Sequence, residues 1–273
     1  MSTRTLCVLW IIFPAVVALG QQANPASSLP AANPSQADCA GFVATNKVPS
    51  DIIVLDGADN DLESSLRQFT LGDSIYLSSR QQGNFSVGEE FAIVRPAKEL
   101  FRTTRYRHEH WSLRALGTPY EDAGRAKVTR VTPEGAVADV SFACGPIYPG
   151  DIAVLYQPRV VPGYAPEELD RFALANGKMQ GTITAARNNF ASLATGDIVY
   201  LDLGEKQGAT VGQRYRVYYT LRRPSPSAVF VYPPEPRETI GEVVVLSTQE
   251  KSSTAIIVNC TRDINVGYGV ELE

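Results

Sequence analysis

The sequence has very few of the residues on which acid–base catalysis and metal binding most often depend. Only two histidines and four cysteines occur among 273 residues. Histidine titrates near neutral pH and is the commonest metal ligand, so this scarcity argues against both kinds of chemistry. The formal net charge is −4. Because there is no basic excess, we expect no binding to nucleic acid or to an anionic membrane surface.

Familiar catalytic and nucleotide-binding motifs are also missing. The sequence has no P-loop and no nucleophile elbow, and Gly267-Tyr268-Gly269 lacks the rest of a dinucleotide motif. Gly-Asp recurs at 72–73, 150–151 and 196–197, but each pair opens a hydrophobic strand, where aspartate after glycine suits a turn. We therefore expect no enzymatic activity, no catalytic residue and no cofactor.

His108-Glu109-His110 is the only cluster that could bind a metal ion. On a strand, the two imidazoles would share one face and supply two ligands. Zinc usually takes three or four ligands, and the sequence has neither another histidine nor a CxxC pair. We interpret the cluster as a polar stretch of a surface insertion and predict no metal site.

The first 20 residues have the layout of a secretory signal peptide. Arg4 supplies a positive start, residues 6–19 form an apolar run, and small residues precede Gln21. A retained membrane anchor is the alternative, but the run is shorter than the ~20 residues that span a bilayer, and Pro14 interrupts it. No cysteine follows for lipidation, and no later segment is apolar enough to cross a membrane. We expect export to the periplasm or outer envelope.

An offset of 124 residues relates the two halves of the remaining chain. It pairs Gly57 with Gly181, Gly72-Asp73 with Gly196-Asp197, and Val87-Gly88 with Val211-Gly212. After a slightly shorter second insertion, Gly124, Cys144 and Gly150 correspond to Gly241, Cys260 and Gly267. We infer two tandem copies of one unit.

Alternation of apolar and polar residues makes both units rich in β-strands. Core-facing positions are Ala136, Ala138, Val140, Phe142 and Cys144 in one copy, and Thr254, Ile256, Val258 and Cys260 in the other. In the first unit we predict six strands, at 51–56, 73–79, 90–95, 124–131, 136–144 and 151–156. Six short strands predict an all-β fold, a small barrel or sandwich, in each unit. Helix signals are weak, with 60–69 as one candidate for a short helix.

The remaining segments divide the chain into modules. Residues 21–38 have the composition of a flexible tether, and 158–178 of a linker between module 1 (39–157) and module 2 (179–273). Each module carries an insertion between its third and fourth strands, at 96–122 and 220–239. Insertions on a common fold are where binding specificity would reside.

Aromatic and arginine side chains are concentrated in these insertions. The interaction surface that we predict consists of Phe101, Arg105, Tyr106, Trp111, Phe230 and Tyr232. Such residues dominate contact energies at interfaces. The alternatives are a solvated hairpin whose aromatic residues cap the barrel in the first insertion, and a covering loop with stiff proline-rich ends in the second.

Export makes the cysteines candidates for a disulfide. Cys7 leaves with the signal peptide, so Cys39, Cys144 and Cys260 remain, and at most one intramolecular pair can form. The repeat places Gly163 at the position equivalent to Cys39, which leaves Cys260 without an equivalent partner. We predict a Cys39–Cys144 disulfide that joins the N-terminal arm to module 1, with two buried thiols as the alternative.

Four segments of the second unit carry a resemblance to a known family. Residues 196–204, 210–218, 240–245 and 252–257 resemble the C-terminal domain of flagellar assembly protein T, a module that also accompanies LysM domains in bacterial envelope proteins. The whole chain is similar to two-module exported proteins of acidobacteria. The resemblance implies a β-module with turn glycines and core positions, and no catalytic set.

Taken with the predicted export, these features indicate an exported non-enzymatic protein of the cell envelope. We expect a structural or interaction module in a periplasmic or outer-envelope assembly, with an envelope protein as its partner. The alternative is a protein that binds peptidoglycan or another carbohydrate through the aromatic residues of the insertions.

Overall fold

The computed structural model describes residues 28–57, 68–80, 85–98, 107–190, 192–221 and 236–273. The protein is all-β, with two closed six-stranded barrels in tandem. Alternating apolar and polar residues give each strand one face toward a barrel interior and one face outward. The predicted fold class and the tandem organisation are confirmed.

The first described segment is an N-terminal arm, residues 28–44. It contains β1 (Leu29–Pro30), helix α1 (Pro34–Asp38) and β2 (Phe42–Ala44). Asn33 and Gln36 form a reciprocal capping box, in which each side-chain oxygen accepts the backbone N–H of the other residue, at 2.7 and 3.0 Å. This capping and the burial of Ala37 give residues 28–38 a defined structure. Their composition, in contrast, predicts a flexible tether.

Barrel 1 consists of six strands and contains the first insertion. Its strands are β3 (Ile52–Gly57), β4 (Ser74–Ser79), β5 (Glu90–Pro96), β6 (Thr118–Thr132), β7 (Gly135–Ala143) and β8 (Ile152–Leu155). The order is β6-β5-β8-β3-β4-β7, and pairing of β7 with β6 closes the barrel. Five strands lie within a few residues of their predicted bounds, and β6 begins six residues earlier than predicted, at Thr118. The first residues of β6 pair with β2 of the arm.

Barrel 2 repeats this topology. After β9 (Gly163–Tyr164), which pairs with β1, come β10 (Gln180–Ala186), β11 (Ile198–Leu201), β12 (Arg214–Thr220), β13 (Arg237–Thr248), β14 (Ser253–Cys260) and β15 (Gly269–Leu272). The order β13-β12-β15-β10-β11-β14 matches that of barrel 1 strand for strand. A short 3-10 helix, Glu205–Gln207, follows β11.

Equivalent positions fill the two interiors. The buried pairs include Ile75 and Val199, Leu77 and Leu201, Ile93 and Val217, Val128 and Val245, and Ile147 and Ile264. Burying one such side chain contributes about 1.5–3 kcal/mol. Each barrel therefore has its own hydrophobic core.

The strand register corrects one anchor of the predicted repeat. In barrel 1, Gly57 pairs with Ile75, and in barrel 2, Ala186 pairs with Val199. Ile75 and Val199 are equivalent positions. Gly57 therefore corresponds to Ala186 and not to Gly181. The loop after this strand is five residues longer in the first copy, so the offset of 124 holds only beyond that loop.

A β-bulge corrects the predicted core face of β7 and β14. The pairing skips Ser141 in β7 and Val258 in β14, and an extra residue exchanges the faces of all side chains beyond it. Ala143 and Cys260 consequently pack against the two interiors. The prediction that Phe142 and Cys144 continue the core face of β7 is wrong.

Both copies carry the bulge at the equivalent position, so an offset of 117 residues relates them on either side of it, and this offset corrects the predicted correspondence of Cys144 and Cys260. In barrel 1, the backbone N–H of Cys144 donates to the carbonyl of Ala123. In barrel 2, the N–H of Thr261 donates to the carbonyl of Ile240, which is the residue equivalent to Ala123. Cys144 therefore corresponds to Thr261 and not to Cys260.

The predicted core face of β14 is wrong even before the bulge. Thr254, Ile256 and Val258 face outward and contact the arm, and Ala255 and Ile257 face the interior.

The arm explains why the outer faces of the two barrels differ. Ala31, Ala32 and Ala40 pack on an apolar outer face of barrel 2. That face consists of Ile198, Val244, Leu246, Ile256 and Val258, and the registers align these residues with Ser74, Lys127, Thr129, Asp139 and Ser141 of barrel 1. The two copies have diverged because only one of them is covered by the arm.

The arm also lies between the two barrels at Gly41. The Gly41 N–H donates to the Asp122 carboxylate of barrel 1 at 2.8 Å, and its carbonyl accepts the Thr254 hydroxyl of barrel 2 at 3.0 Å. The Tyr200 hydroxyl donates to the carbonyl of Ala40 at 3.1 Å, and the Ser252 hydroxyl to that of Val43 at 2.7 Å. These contacts connect the arm to both modules.

Helix α2 (Arg107–Leu116) forms the described part of the first insertion. Leu113 and Leu116 pack with Val43 of the arm and with Ala185 and Tyr200 of barrel 2. This helix is absent from the predicted elements. The three-residue spacing of the two buried leucines is the signal that indicates it.

Candidate functional site

A disulfide joins Cys39, which ends helix α1, to Cys144, which follows β7. The Cα atoms are 5.5 Å apart, within the range that a disulfide requires. The predicted pairing is confirmed, and the bond is compatible with an oxidising compartment. Cys260 is free and half-buried, with its Sγ 3.5 Å from the Thr195 hydroxyl.

Of the predicted interaction surface, the structure describes only the side chain of Trp111. It lies on α2 and is 68% exposed, so it is available for contact and does not cap the barrel. Phe101, Arg105, Tyr106, Phe230 and Tyr232 lie outside the described residues.

The backbone of His108 and His110 is helical, since both lie in α2. Residues two apart on a helix do not share a face, so the strand geometry considered for a two-histidine site is wrong. Among the residues whose side chains are described, no group of three or more metal-ligating residues occurs.

A cleft of about 330 Å³ opens at the junction of the arm, barrel 1, the linker and barrel 2. We call it the junction cleft. Its lining includes Asp38 and Phe42 of the arm, Arg125 and Phe142 of barrel 1, Tyr156, Gln157 and Arg159 after β8, and Ser247 and Gln249 of barrel 2. Ligand sites concentrate at such junctions, and no sequence motif indicates this one because its residues come from four segments.

Arg159 holds one side of the junction cleft in place. Its guanidinium donates two hydrogen bonds to the Asp122 carboxylate, at 2.7 and 2.8 Å, and further bonds to the carbonyls of Ala37 and Asp38, at 2.8 and 3.3 Å. Bidentate pairing of this kind is strong and geometrically specific. Asp122 also accepts the N–H of Gly41. Arg159 therefore fixes the arm and the start of the linker on barrel 1.

Arg125 lies between two aromatic rings on the other side of the cleft. Its guanidinium carbon is 4.8 Å from the ring centroid of Phe142 and 4.6 Å from that of Tyr156. Its ion pair with Asp38 is longer, at 3.5 Å, and the Tyr156 hydroxyl donates to Asp38 at 3.3 Å. Burial, followed by the charge of Asp38, raises the pKa of Tyr156, so its hydroxyl stays protonated at neutral pH.

The linker lies along barrel 2 and is held there by charged groups. Arg171 pairs with Glu238, and Glu167 pairs with Arg214 at 2.8 Å. The N–H of Asn176 donates to the buried Glu271 at 3.1 Å. The segment that the sequence predicts to join the modules therefore also covers part of the second one.

Three carboxylates surround the guanidinium of Arg214. Glu167 and Glu242 lie 2.8 Å from it, and Glu273 lies 2.6 Å from it. One positive charge cannot balance three negative charges. Burial, hydrogen bonding to Glu242 and the charge of Glu242 raise the pKa of Glu273 from 4.5 to about 7.

We expect this raised pKa to make the free energy of unfolding depend on pH. Between pH 4.5 and about 7, folded Glu273 binds more protons than unfolded Glu273, so its contribution is present below pH 4.5 and is lost as the pH rises through 7. Glu273→Gln should flatten the decrease across this window, measured by urea unfolding at several pH values. Parallel pH profiles for the variant and the wild type would contradict the assignment.

No family model matches the chain, and a search of curated proteins finds no match either. Fold and site define a tandem pair of β-barrels joined by a linker and by an arm that is disulfide-bonded to barrel 1. Within the described residues, no helix is long and apolar enough to cross a membrane.

Proposed function

We propose that the protein is an exported, non-enzymatic component of the cell envelope that acts as an interaction module in a periplasmic or outer-envelope assembly. The observation that carries the proposal is the arm. It is bonded to barrel 1 by the Cys39–Cys144 disulfide and by pairing of β2 with β6, and it covers the apolar outer face of barrel 2. A single segment thus couples the two modules into one body.

A coupled pair of barrels is suited to presenting surfaces in a fixed relation, which reduces the entropy lost on binding. Helix α2 of the first insertion is itself clamped by Leu113 and Leu116, whereas Trp111 on the same helix is exposed. An exposed tryptophan on a packed helix has the features of a contact residue. The resemblance to the flagellar assembly protein module belongs to the same proposal.

The proposal is tested by site-specific crosslinking in the cell envelope. A photoreactive residue at Ala115, which is exposed on α2 four residues after Trp111, should give a discrete crosslinked partner, and the same residue at the exposed Val87 should not. Trp111→Ala should weaken recovery of that partner at least about tenfold, as expected for a tryptophan at the centre of an interface. Recovery of the protein alone, or equal crosslinking at both positions, contradicts the proposal.

Glycan binding is the second candidate function. The composition of the junction cleft favours it.

A further inference from the structure

The two arginines of the junction cleft differ in how fully their donors are used. Arg159 makes four hydrogen bonds within the protein, so it is a structural residue. Among the described residues, Arg125 has Asp38 as its one carboxylate partner, at 3.5 Å, and its side chain is 26% exposed. The rings of Phe142 and Tyr156 lie against its guanidinium, which leaves donors at the guanidinium edge for a bound molecule.

The charges of the cleft indicate a neutral ligand. Arg125 and Arg159 are balanced by Asp38 and Asp122, and each arginine lies next to one of the aspartates. A carboxylate or phosphate attracted by Arg125 would be repelled by the adjacent Asp38. A cation attracted by Asp38 would be repelled by Arg125. The electrostatic attraction and repulsion largely cancel for either sign. A neutral molecule with its own donors and acceptors avoids this conflict.

The remaining lining provides hydrogen-bonding groups beside apolar surface. Tyr156 contributes a hydroxyl, Gln157 and Gln249 contribute amides, and Val154 and Leu155 contribute apolar surface. A ligand that matches this wall presents several hydroxyls and also C–H faces.

From these observations we infer that the junction cleft binds a neutral saccharide. Sugar rings combine hydroxyls, which match Arg125 and Asp38, with C–H faces, which match the apolar wall. The cleft volume of about 330 Å³ is at the lower end of the ~300–1,000 Å³ of small-molecule sites, so it suits a short oligosaccharide. This inference does not depend on the interaction module proposed above.

The test is calorimetric titration of the mature, oxidised protein with three neutral oligosaccharides, chitotetraose, cellotetraose and maltotetraose. We expect saturable binding of at least one. Arg125→Gln, which removes charged donors, should weaken it at least about tenfold. Arg130→Gln, on the same strand but exposed and outside the cleft, is the matched control and should bind as the wild type does.

Two milder variants keep the test valid if Arg125→Gln fails to fold. Tyr156→Phe retains the ring beside Arg125 and removes the hydroxyl that donates to Asp38, and Gln157→Ala changes an exposed residue of the cleft wall. Each should weaken binding several-fold. The unfolding midpoint should stay unchanged in Gln157→Ala and should fall only slightly in Tyr156→Phe, which loses one hydrogen bond. The inference is overturned if none of the sugars binds, or if all three cleft variants bind normally.

Two further results would separate this inference from other functions of the protein. Binding of the anionic dipeptide N-acetyl-D-alanyl-D-alanine in preference to the sugars would overturn the argument from charge balance. Sugar binding that is lost in Trp111→Ala but retained in Arg125→Gln would place the glycan on the insertion and overturn the cleft site. Failure of the crosslinking experiment on helix α2 leaves the cleft inference unaffected.

Discussion

Gly41→Ala should uncouple the arm from the barrels and lower the free energy of unfolding by roughly 3 kcal/mol. Gly41 has a φ of +67°, and a Cβ atom built on it would lie 2.6 Å from the Tyr200 hydroxyl oxygen and 2.7 Å from the carbonyl oxygen of Tyr120. The left-handed backbone costs a non-glycine residue ~1–2 kcal/mol, and overpacking typically adds ~1–3 kcal/mol. Tyr120 contributes a backbone atom, which cannot move aside as a flexible side chain can.

Two other glycines separate these contributions. Gly72→Ala tests the backbone term alone, because Gly72 has a φ of +92° and open space around its Cβ position. Gly145→Ala is the reference, in which neither backbone strain nor overpacking is expected, because Gly145 has open space and no left-handed backbone. Urea unfolding should rank the losses Gly41 > Gly72 > Gly145, and hydrogen exchange should show faster opening of residues 28–44 in Gly41→Ala. A loss for Gly41→Ala no larger than that for Gly72→Ala would contradict the packing argument.

The sequence predicts the strands well because local alternation decides them. All six strands of barrel 1 lie within a few residues of their predicted bounds, except that β6 begins earlier, at Thr118. Its first residues pair with the arm strand β2, and that partner lies more than 70 residues away along the chain. A contact at such a distance leaves no local pattern before β6.

The faces of the strands are predicted less well than the strands themselves. The bulges at Ser141 and Val258 leave an alternating sequence on both sides, so the change of phase cannot be read from apolar residues alone. In β14 both faces are apolar, since one meets the barrel interior and the other meets the arm. Alternation therefore does not identify the core face there.

The disulfide was predictable, whereas the junction cleft was not. With Cys7 assigned to the predicted signal peptide, three cysteines offer only three possible pairs. The repeat argument that selected Cys39–Cys144 took Cys260 as the counterpart of Cys144, whereas the backbone hydrogen bonds make Thr261 that counterpart, so the correct pair follows mainly from the small number of choices. The cleft, by contrast, brings Asp38, Arg125, Tyr156 and Gln249 together. Their types are unremarkable singly, and only the packing of the arm and the linker makes them neighbours.

The second large effect is expected from removing the disulfide. Cys39 and Cys144 are separated by 105 residues, and a cross-link that closes a loop of about 100 residues stabilises a protein by up to ~4.7 kcal/mol through the entropy of the unfolded chain. We expect Cys39→Ala/Cys144→Ala to lose roughly 4 kcal/mol in urea unfolding. Cys260→Ala is the matched control and should leave the disulfide intact and cost less, because Cys260 only borders the core of barrel 2.

The location of the lost stability separates this bond from an ordinary cross-link. Without the disulfide, only noncovalent contacts hold the arm: the pairing of β2 with β6, the contacts of Arg159 and Arg125 with helix α1, and the packing on barrel 2. The arm should therefore open more often than in the oxidised protein. Release of the arm would expose the apolar outer face of barrel 2, including Val244 and Ile256. The reduced protein should therefore bind a hydrophobic dye under conditions in which both barrels remain folded. Alkylation of Cys39 in the unreduced protein, or equal dye binding in the two redox states, would show that the arm is held without the bond.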